Sequence, residues 1–580
     1  VSDFLTTWPE LDYHALYAVP VGGQGELGQV MWLFIYQGEI IVVDAGAGYP
    51  ARELPGVDLL LPNSAFLEAN QDKISALLLT NGHEEHAGAL TYLTHHVNFP
   101  RILAPRFVAE LIKQNVYDLY SSNDSNDSAS VRPVPIMEVV EAKKSYQVGP
   151  FEVEWIVSNN AIADACALRI SCEAGTIIYT SSFKFDQTPV DNTLLDVGRL
   201  ATIGDEGVTL LISDSANVEA GGYTLSEKVV AQAMEEIIGE ASGRVIVVMP
   251  GTNTHRLQIL FDVAAKTDRK VILLGDTFHK IAVSATITGN LMFDRAIEGS
   301  INGLANMKND EVLVIASTTE SDPINVLDDI AYDRHPTITV KEGDTIIFSS
   351  DVLPGRARHM AHILDELLLK NVKVLWGQKP GVHVSKHASK EELKLMLSIT
   401  KPRYFAPAIG EGRHITQHGE IAGAFGLDES AIFILTNGDM LEISRGIGSI
   451  AGSIAFQPVL FNREQGERVT TASVNERRIL SLEGVVTIGL TVTAGGEIVT
   501  GPTVEVGASG FLRSSEWAGM QQELDGIIRE AVARTKPNAK SDDVTVALRS
   551  SVREAVIKAL RSRLSAKPTV QVLVHQVNAV

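Results

Sequence analysis

The sequence predicts a chain of more than one domain, chiefly α/β in class and closing in a smaller α+β unit. Three observations lead there. Its 580 residues exceed the ~250–300 at which a single hydrophobic core stops growing, so three units would be ordinary. Short apolar runs that stop at polar, glycine-containing clusters read as buried strands, and they alternate with segments whose apolar residues fall at helical spacing. Toward the C-terminus this alternation gives way to a hairpin-like pair of apolar runs and two helical stretches.

Composition narrows the class. Hydrophobic residues make up 45% and charged residues 21%, as in soluble globular proteins. No apolar run approaches the ~18 residues of a membrane span. The opening VSDFLTTWPELDYH carries acids but no basic or apolar leader region, so no secretory signal and a cytoplasmic location are expected. Cys166 and Cys172 share one strand-like run and lie on the same face about 20 Å apart at strand rise, too far to bridge. A reduced compartment fits them. The net charge of −22 repels polyanions at long range, so a nucleic acid would have to be met by a local basic channel.

In chain order, 18–46 read as a strand, a glycine loop (GGQGELGQ), the strand MWLFIY, a tight turn and the strand IIVVDAG. The glycine loop alone is weak support for phosphate binding. Asp44 ends a strand, where α/β sites gather side chains. Between 75 and 214 strands and short helices alternate, interrupted by the polar run SSNDSNDSAS at 121–130, expected to be a mobile loop. In 223–377, Val230, Ala233, Ile237 and Ile238 mark a helix face, and GRVIVVMP and KVILLG are short buried strands, which together imply a mostly parallel sheet. A linker is expected over 451–470, followed by a hairpin over 485–507, helices near 517–534 and 549–564, and a last strand over 570–577. Arg549, Arg553, Lys558, Arg561, Arg563 and Lys567 face one acid, Glu554. A solvated helix face weighs more there than a patch for RNA or a partner.

The chemistry centres on TNGHEEHAG at 80–88, at the end of the apolar run 74–79. His83, Glu85 and His86 lie within four residues, a crowding of imidazole and carboxylate that suits a divalent metal. A helix N-terminus with favourable acids and incidental histidines reads equally well on these residues alone.

Three further stretches decide the matter: VDAG at 43–46, SSFKFDQTPVD at 181–191 and HVSKHASKEELKLML at 383–397. In this order they resemble ribonuclease J, a bacterial RNase of the metallo-β-lactamase class with an inserted β-CASP domain. The resemblance runs from about Gly22 to the C-terminus. It implies a metallo-β-lactamase αββα sandwich over 1–215 and 382–450, a β-CASP α/β domain over 216–381, a linker over 451–470 and a small α+β C-terminal domain over 471–580. The stretches 317–323 (STTESDP) and 342–355 (EGDTIIFSSDVLPG) would be β-CASP scaffold.

The resemblance also implies a two-metal centre, and here this sequence departs from the pattern. The family's first loop reads HGHEDH, against NGHEEH here, so Asn81 replaces a histidine and Glu85 an aspartate. Asn160, within SNNAIADA, stands at the next histidine. Ser182 stands at the aspartate that bridges both metals, and Ile409, within IGEGR, at the last histidine. Only His83 and His86 are kept. Neutral replacements should stabilise an empty centre, since unscreened carboxylates and imidazoles repel one another. The expectation is therefore no resident metal, with Zn or Mn at a residual His83, Glu85 and His86 site as the alternative. His414 is expected to point elsewhere from its helix. In the family the equivalent of Asp44 supports the metal loop; a turn-forming Asp is the alternative.

The residues that the resemblance assigns to RNA phosphates are better preserved: His383, Ser385 and His387 in HVSKHAS, and His255 and Arg256 in TNTHR. Lys386 replaces a glycine and is expected to supply positive charge toward a phosphate or Glu85, with a solvent-pointing lysine as the alternative. The resulting reading is a paralogue that has lost catalysis and serves as an RNA-binding or assembly subunit in RNA degradation or rRNA processing. Its partners would be RNA, further copies of itself in a dimer or tetramer, or an active ribonuclease J paralogue, and no membrane. The alternative is a metal-dependent 5′→3′ exoribonuclease and endoribonuclease with a non-standard site. A lone Ser182 or Asp164 would leave the transition-state charge unanswered.

Overall fold

The structure is a computed structural model that describes residues 10–50, 54–121, 135–317, 323–352, 355–377, 381–454, 456–463, 465–507, 514–535, 544–563 and 567–577. The polar run at 121–130 lies outside them from 122 onward, as do most of STTESDP, residues 353–354 and the Arg563 side chain. The chain divides into two compact units, one of Val1–Arg52 with Asp58–Val459, the other of Glu53–Val57 with Leu460–Val580.

The first unit is built on two facing mixed sheets. One has eight strands in the order Ile447–Ser453, Asp439–Ser444, Leu16–Gly22, Met31–Tyr36, Glu39–Val43, Ile74–Leu78, Arg101–Pro105 and Ile136–Val140. The other has six, in the order Tyr404–Ala408, Leu210–Asp214, Gly175–Tyr179, Cys166–Cys172, Phe151–Val157 and Ser145–Val148. Their inner faces share one core, with Trp32, Phe34, Ile41 and Leu78 against Phe151, Trp155, Leu168 and Ile212. Helices Val197–Glu206, Lys390–Thr400 and Gly412–Ala424 cover the outer face of the second sheet through Leu200, Ile203, Leu393, Met396 and Ala422. Helix Arg106–Ser121 packs on Arg101–Pro105 and Ile136–Val140 of the first. The expected hairpin forms, with Trp32 opposite Val43 and Tyr36 opposite Glu39. The central strands are buried on both faces, which is why they read as continuous apolar runs rather than alternating ones.

Strand Leu210–Asp214 pairs in parallel with Tyr404–Ala408, residue for residue from Leu210 opposite Tyr404. The intervening chain forms its own all-parallel sheet, ordered Lys270–Leu274, Val312–Ala316, Val245–Val248, Thr345–Phe348 and Lys373–Trp376. One face is covered by helices Glu227–Glu240, Thr254–Lys266 and Asp276–Thr288, the other by Ile324–Ala331 and Ala357–Leu369. The two-layered lactamase-type sandwich with an inserted α/β domain is thus present as expected. On helix Glu227–Glu240 the fully buried residues are Glu227, Val230, Met234 and Ile238, whereas Ala233 and Ile237 sit at the edge of the face. Glu227 is inside because it meets a buried arginine.

The second unit is α+β. Val485–Thr493 pairs antiparallel with Ile498–Gly507 and parallel with Thr569–Val577. Val486, Ile488, Leu490 and Val492 alternate inward against Leu524, Ile528, Leu548, Val552 and Val556 of helices Ser514–Arg534 and Val544–Arg563. The last helix begins at Val544 rather than near 549, because Leu548 already belongs to its apolar seam. Arg549, Arg553, Lys558 and Arg561 lie on its exposed surface. The 451–470 segment is not featureless: Val459–Asn462 and Glu467–Arg468 form short paired strands. Cys166 and Cys172 lie at the two ends of one strand, both as free thiols. Among the described residues no helix is long and apolar enough to cross a membrane.

Candidate functional site

Parallel strands Glu39–Val43 and Ile74–Leu78 end side by side, which brings Asp44 and Thr80 together at the edge of the sandwich. Asp44, at φ +62°, is 0% exposed. Its carboxylate accepts hydrogen bonds from Thr80 N and Oγ1 at 2.9 Å and from Tyr179 Oη at 3.0 Å. The loop beyond Thr80 turns into the short helix Glu84–Ala87. It is pinned to the first sheet by Val30 N donating to Glu85 O at 2.9 Å and Ala45 N to His86 O at 2.6 Å. This approach needs Gly46, where a Cβ would stand 1.7 Å from Glu85 O. Trp155 Nε1 donates to Leu79 O at 3.0 Å and fixes the loop's root to the second sheet.

The structure brings the residues at the metal-ligand positions together, and joins them to one another. His86 Nδ1 lies 2.7 Å from Asp44 Oδ2 and its Nε2 2.8 Å from Ser182 Oγ. A carboxylate only accepts, so the ring donates from Nδ1 to Asp44, while Nε2 pairs with the Ser182 hydroxyl. His83 Nε2 lies 2.8 Å from Asn160 Oδ1, and its Nδ1 2.7 Å from Thr252 Oγ1. Asn160 Oδ1 also accepts from Ala161 N, and its Nδ2 donates to Ser182 O at 2.8 Å, which fixes the amide and makes His83 Nε2 the donor. Asn81 Nδ2 donates to Ser181 Oγ at 3.0 Å, and its Oδ1 accepts from His83 N at 2.9 Å. Ile409 belongs to the sandwich core but keeps φ +55°. A β-branched residue held there stores about 1–3 kcal/mol of strain. Ser181, at φ +56°, is with Asp44 and Ile409 a third non-glycine residue of the cluster at positive φ.

This donor set does not fit the two-metal centre. Both nitrogens of His83 and of His86 are already hydrogen-bonded within the protein, the bridging position holds a hydroxyl, and Ile409 has no donor atom. Among the described residues no group of three or more His, Cys, Asp or Glu side chains is arranged to hold a metal ion. Burial, reinforced by the Lys386 ammonium, pushes His83 down to about 3, so its ring is neutral. Burial alone would raise the Glu85 carboxyl, but the ammonium of Lys386 outweighs it and holds Glu85 well below the usual carboxylate range. Asp44, His86 and Ser182 line up as a serine hydrolase triad would. Ser182 is 1% exposed and His86 0%, and neither lines the neighbouring cavity. This relay is closed to substrate.

That cavity, of about 480 Å³, lies within the first unit between the first loop, the inserted domain and the returning segment. His83, Glu85, Ser385, Lys386, His387 and Arg413 line it. Its basic groups are matched by acids. Lys386 Nζ donates to Glu85 Oε1, His387 Nδ1 is 2.7 Å from Asp214 Oδ2, and His383 Nε2 is 2.9 Å from Asp351 Oδ1. Burial would raise Asp351, but His383, with His387 and Arg256 behind it, brings it down to about 2. Arg413 pairs with Glu219 at 3.3 Å and with Glu411. His414 lines the same cavity, with its Nε2 3.3 Å from Glu219 Oε2.

Two of the residues assigned to phosphates are differently employed. Arg256 is 0% exposed. Its guanidinium meets both Glu227 oxygens at 2.7 and 3.2 Å, Ser349 O at 2.7 Å and His383 Nδ1 at 3.0 Å. It holds the returning segment to the inserted domain. His255 lies 3.5 Å from Asp191 and does not line the cavity. Lys386 sits at negative φ, so the bend there needs no glycine. Sequence reasoning missed Thr252 as the partner of His83 and Glu227 as that of Arg256. Thr252 lay inside the TNTHR motif; for Glu227 the only signal was an acid at a helix start.

Comparison with known proteins agrees with this architecture. Family models match over residues 25–152 (metallo-beta-lactamase superfamily), 242–367 (ribonuclease J, beta-CASP domain) and 472–577 (ribonuclease J C-terminal domain). Among similar curated proteins, the ribonuclease J of Synechocystis sp. is 30% identical over 490 residues, covering 84% of this chain and 75% of its own length. That of Helicobacter pylori is 34% identical over 468 residues, with 80% of this chain and 66% of the relative covered. Ribonuclease J 1 of Streptococcus pyogenes is 31% identical over 548 residues, with 94% of each covered.

Proposed function

The chain belongs to the ribonuclease J family, and on that premise we propose that it is a non-catalytic member, an RNA-binding or assembly subunit that pairs with an active ribonuclease J paralogue. The observation that carries this reading is the saturation of His83 and His86. Every ring nitrogen that would hold a metal is spent on Asp44, Ser182, Asn160 or Thr252. Phosphoryl transfer needs an activated water and charge stabilisation at the reacting phosphorus, and an ammonium already paired with Glu85 does not do the work of the family's two metal ions.

The cavity supports a binding role. Ser385, Lys386, His387 and Arg413 offer donors at its wall to a sugar-phosphate backbone, and such contacts position RNA without reading its bases. The chain as a whole, at a net charge of −22, repels RNA at long range, so engagement depends on local basic groups such as those of this channel and is strongly salt-dependent. We place the protein in cytoplasmic RNA degradation or rRNA processing, with a sandwich domain over 1–215 and 382–450, a β-CASP domain over 216–381 and a C-terminal domain over 471–580. It would work as a homo-oligomer or in a mixed assembly with the active paralogue.

The test is a 5′-monophosphorylated RNA presented to the purified full chain, with metal content measured in parallel. Binding that survives EDTA without decay of the RNA is the expected result. Zn or Mn at near stoichiometry with processive decay overturns it.

A further inference from the structure

The first loop and the returning segment meet through one charge pair. Lys386 Nζ donates to Glu85 Oε1 at the cavity wall, with the two side chains 26% and 21% exposed. Glu85 is fixed from behind, since its carbonyl holds Val30 N of the first sheet. Lys386 is fixed from both sides, by His383 against Asp351 of the inserted domain and by His387 against Asp214 of the second sheet. The pair therefore ties together two stretches 301 residues apart in sequence. In the metal-dependent pattern a divalent ion makes that tie, by drawing ligands from several strands to one point.

We propose that Lys386 is the resident cation of this centre: its ammonium takes the electrostatic place of a divalent ion, neutralising Glu85 and clasping the first loop to the returning segment. This rests on the reading that the centre holds no metal. The chemistry is sufficient for the task. Asp44 is satisfied by Thr80, Tyr179 and His86, whereas Glu85 takes its neutralising charge from Lys386. An ammonium is a compact point charge with three donors, suited to a single carboxylate. A metal ion approaching Glu85 meets a like charge at contact distance, so the lysine that closes the site also keeps divalent ions out.

The experiment is thermal unfolding of the full chain in EDTA and in Mn²⁺, with Lys386→Met, Lys386→Arg, Glu85→Gln and the Lys386→Met/Glu85→Gln pair. Lys386→Met is expected to lower the midpoint by a few degrees and Lys386→Arg to keep most of it. The double variant should lose less than the sum of the single losses. If Lys386→Met does not fold, recovery in the double variant supports the proposal and equal failure overturns it. Single losses that simply add, or a Lys386→Met midpoint equal to the parent's, overturn the clasp but leave the metal-free reading standing. A parent chain that Mn²⁺ stabilises overturns that reading as well.

Discussion

His86 Nε2 lies 2.8 Å from Ser182 Oγ, in the place where the family's bridging carboxylate would share a metal with that imidazole. The hydroxyl satisfies the nitrogen directly, and the small serine leaves no charge to be balanced. A buried cluster of imidazoles keeps its shape only if each ring nitrogen finds a partner. Here Ser182, Asp44, Asn160 and Thr252 are those partners.

Restoring the carboxylate alone should therefore be costly. Ser182→Asp buries a charge beside Asp44 and Glu85 with no metal to offset it, and is expected to destabilise the chain by about 3–5 kcal/mol, read by denaturant unfolding. Asn81→His, Asn160→His, Ser182→Asp and Ile409→His together, combined with Lys386→Gly to remove the competing ammonium, should recover Zn or Mn binding. Calorimetric titration that finds no uptake by this combined variant would show that the scaffold itself no longer accommodates the ions.

The relay of Asp44, His86 and Ser182 is predicted to be inert. A fluorophosphonate should leave the intact mass of the native protein unchanged, because Ser182 is 1% exposed. An adduct on Ser182 that disappears in His86→Ala would show that the site opens to solvent and that the hydroxyl is activated.

Two neutral, buried imidazoles give stability a definite pH dependence. Burial lowers both His83 and His418 to about 3, and His418 Nδ1 lies 2.9 Å from Ser215 Oγ. In the unfolded chain each ring takes a proton below about 6.5, whereas in the folded chain each resists until about 3. Over that window the unfolded state binds more protons, so stability falls with pH by about 1.4 kcal/mol per unit for each ring and levels off below the folded values. Urea midpoints at pH 7, 6 and 5 should decline, and His418→Asn should remove about half of this imidazole contribution. A midpoint that does not move between pH 7 and 5 would contradict it.

Arg256 is predicted to act on stability and Arg413 on RNA. Glu227→Ala strands the buried guanidinium and should cost about 3–5 kcal/mol. Arg256→Lys should lower the unfolding midpoint while leaving the RNA affinity of the folded protein within about twofold. Arg413, 54% exposed at the cavity, should when changed to Ala weaken RNA binding and reduce the salt slope by about one. Filter binding across a salt series separates the two, and an affinity loss confined to Arg256→Lys would reverse the assignment.

The apolar runs at 31–36, 40–43 and 74–78 were legible as strands because a strand buried on both faces can be written only in apolar residues. At Asn81, Asn160, Ser182 and Ile409 the sequence departs from the family pattern in a way legible from residue identity alone, since coordination depends on which atoms a side chain carries. The linker over 451–470 was less legible: polar composition alone does not distinguish a tether from short paired strands. The helix begins at Val544 because its apolar contacts, from Val544 and Leu548, come before the basic run.

What the sequence by itself determined is the inventory: two sheets, an inserted parallel domain, and a centre whose donors are few and mostly neutral. What only the tertiary structure decided is where each donor is spent. Ser182 reaches His86 across 96 residues of chain and Lys386 reaches Glu85 across 301, while Arg256, which a motif would offer to phosphate, turns inward to Glu227. A hydrogen bond or an ion pair is chosen by distance and direction in space, and those are fixed only once the strands that carry its two ends have packed.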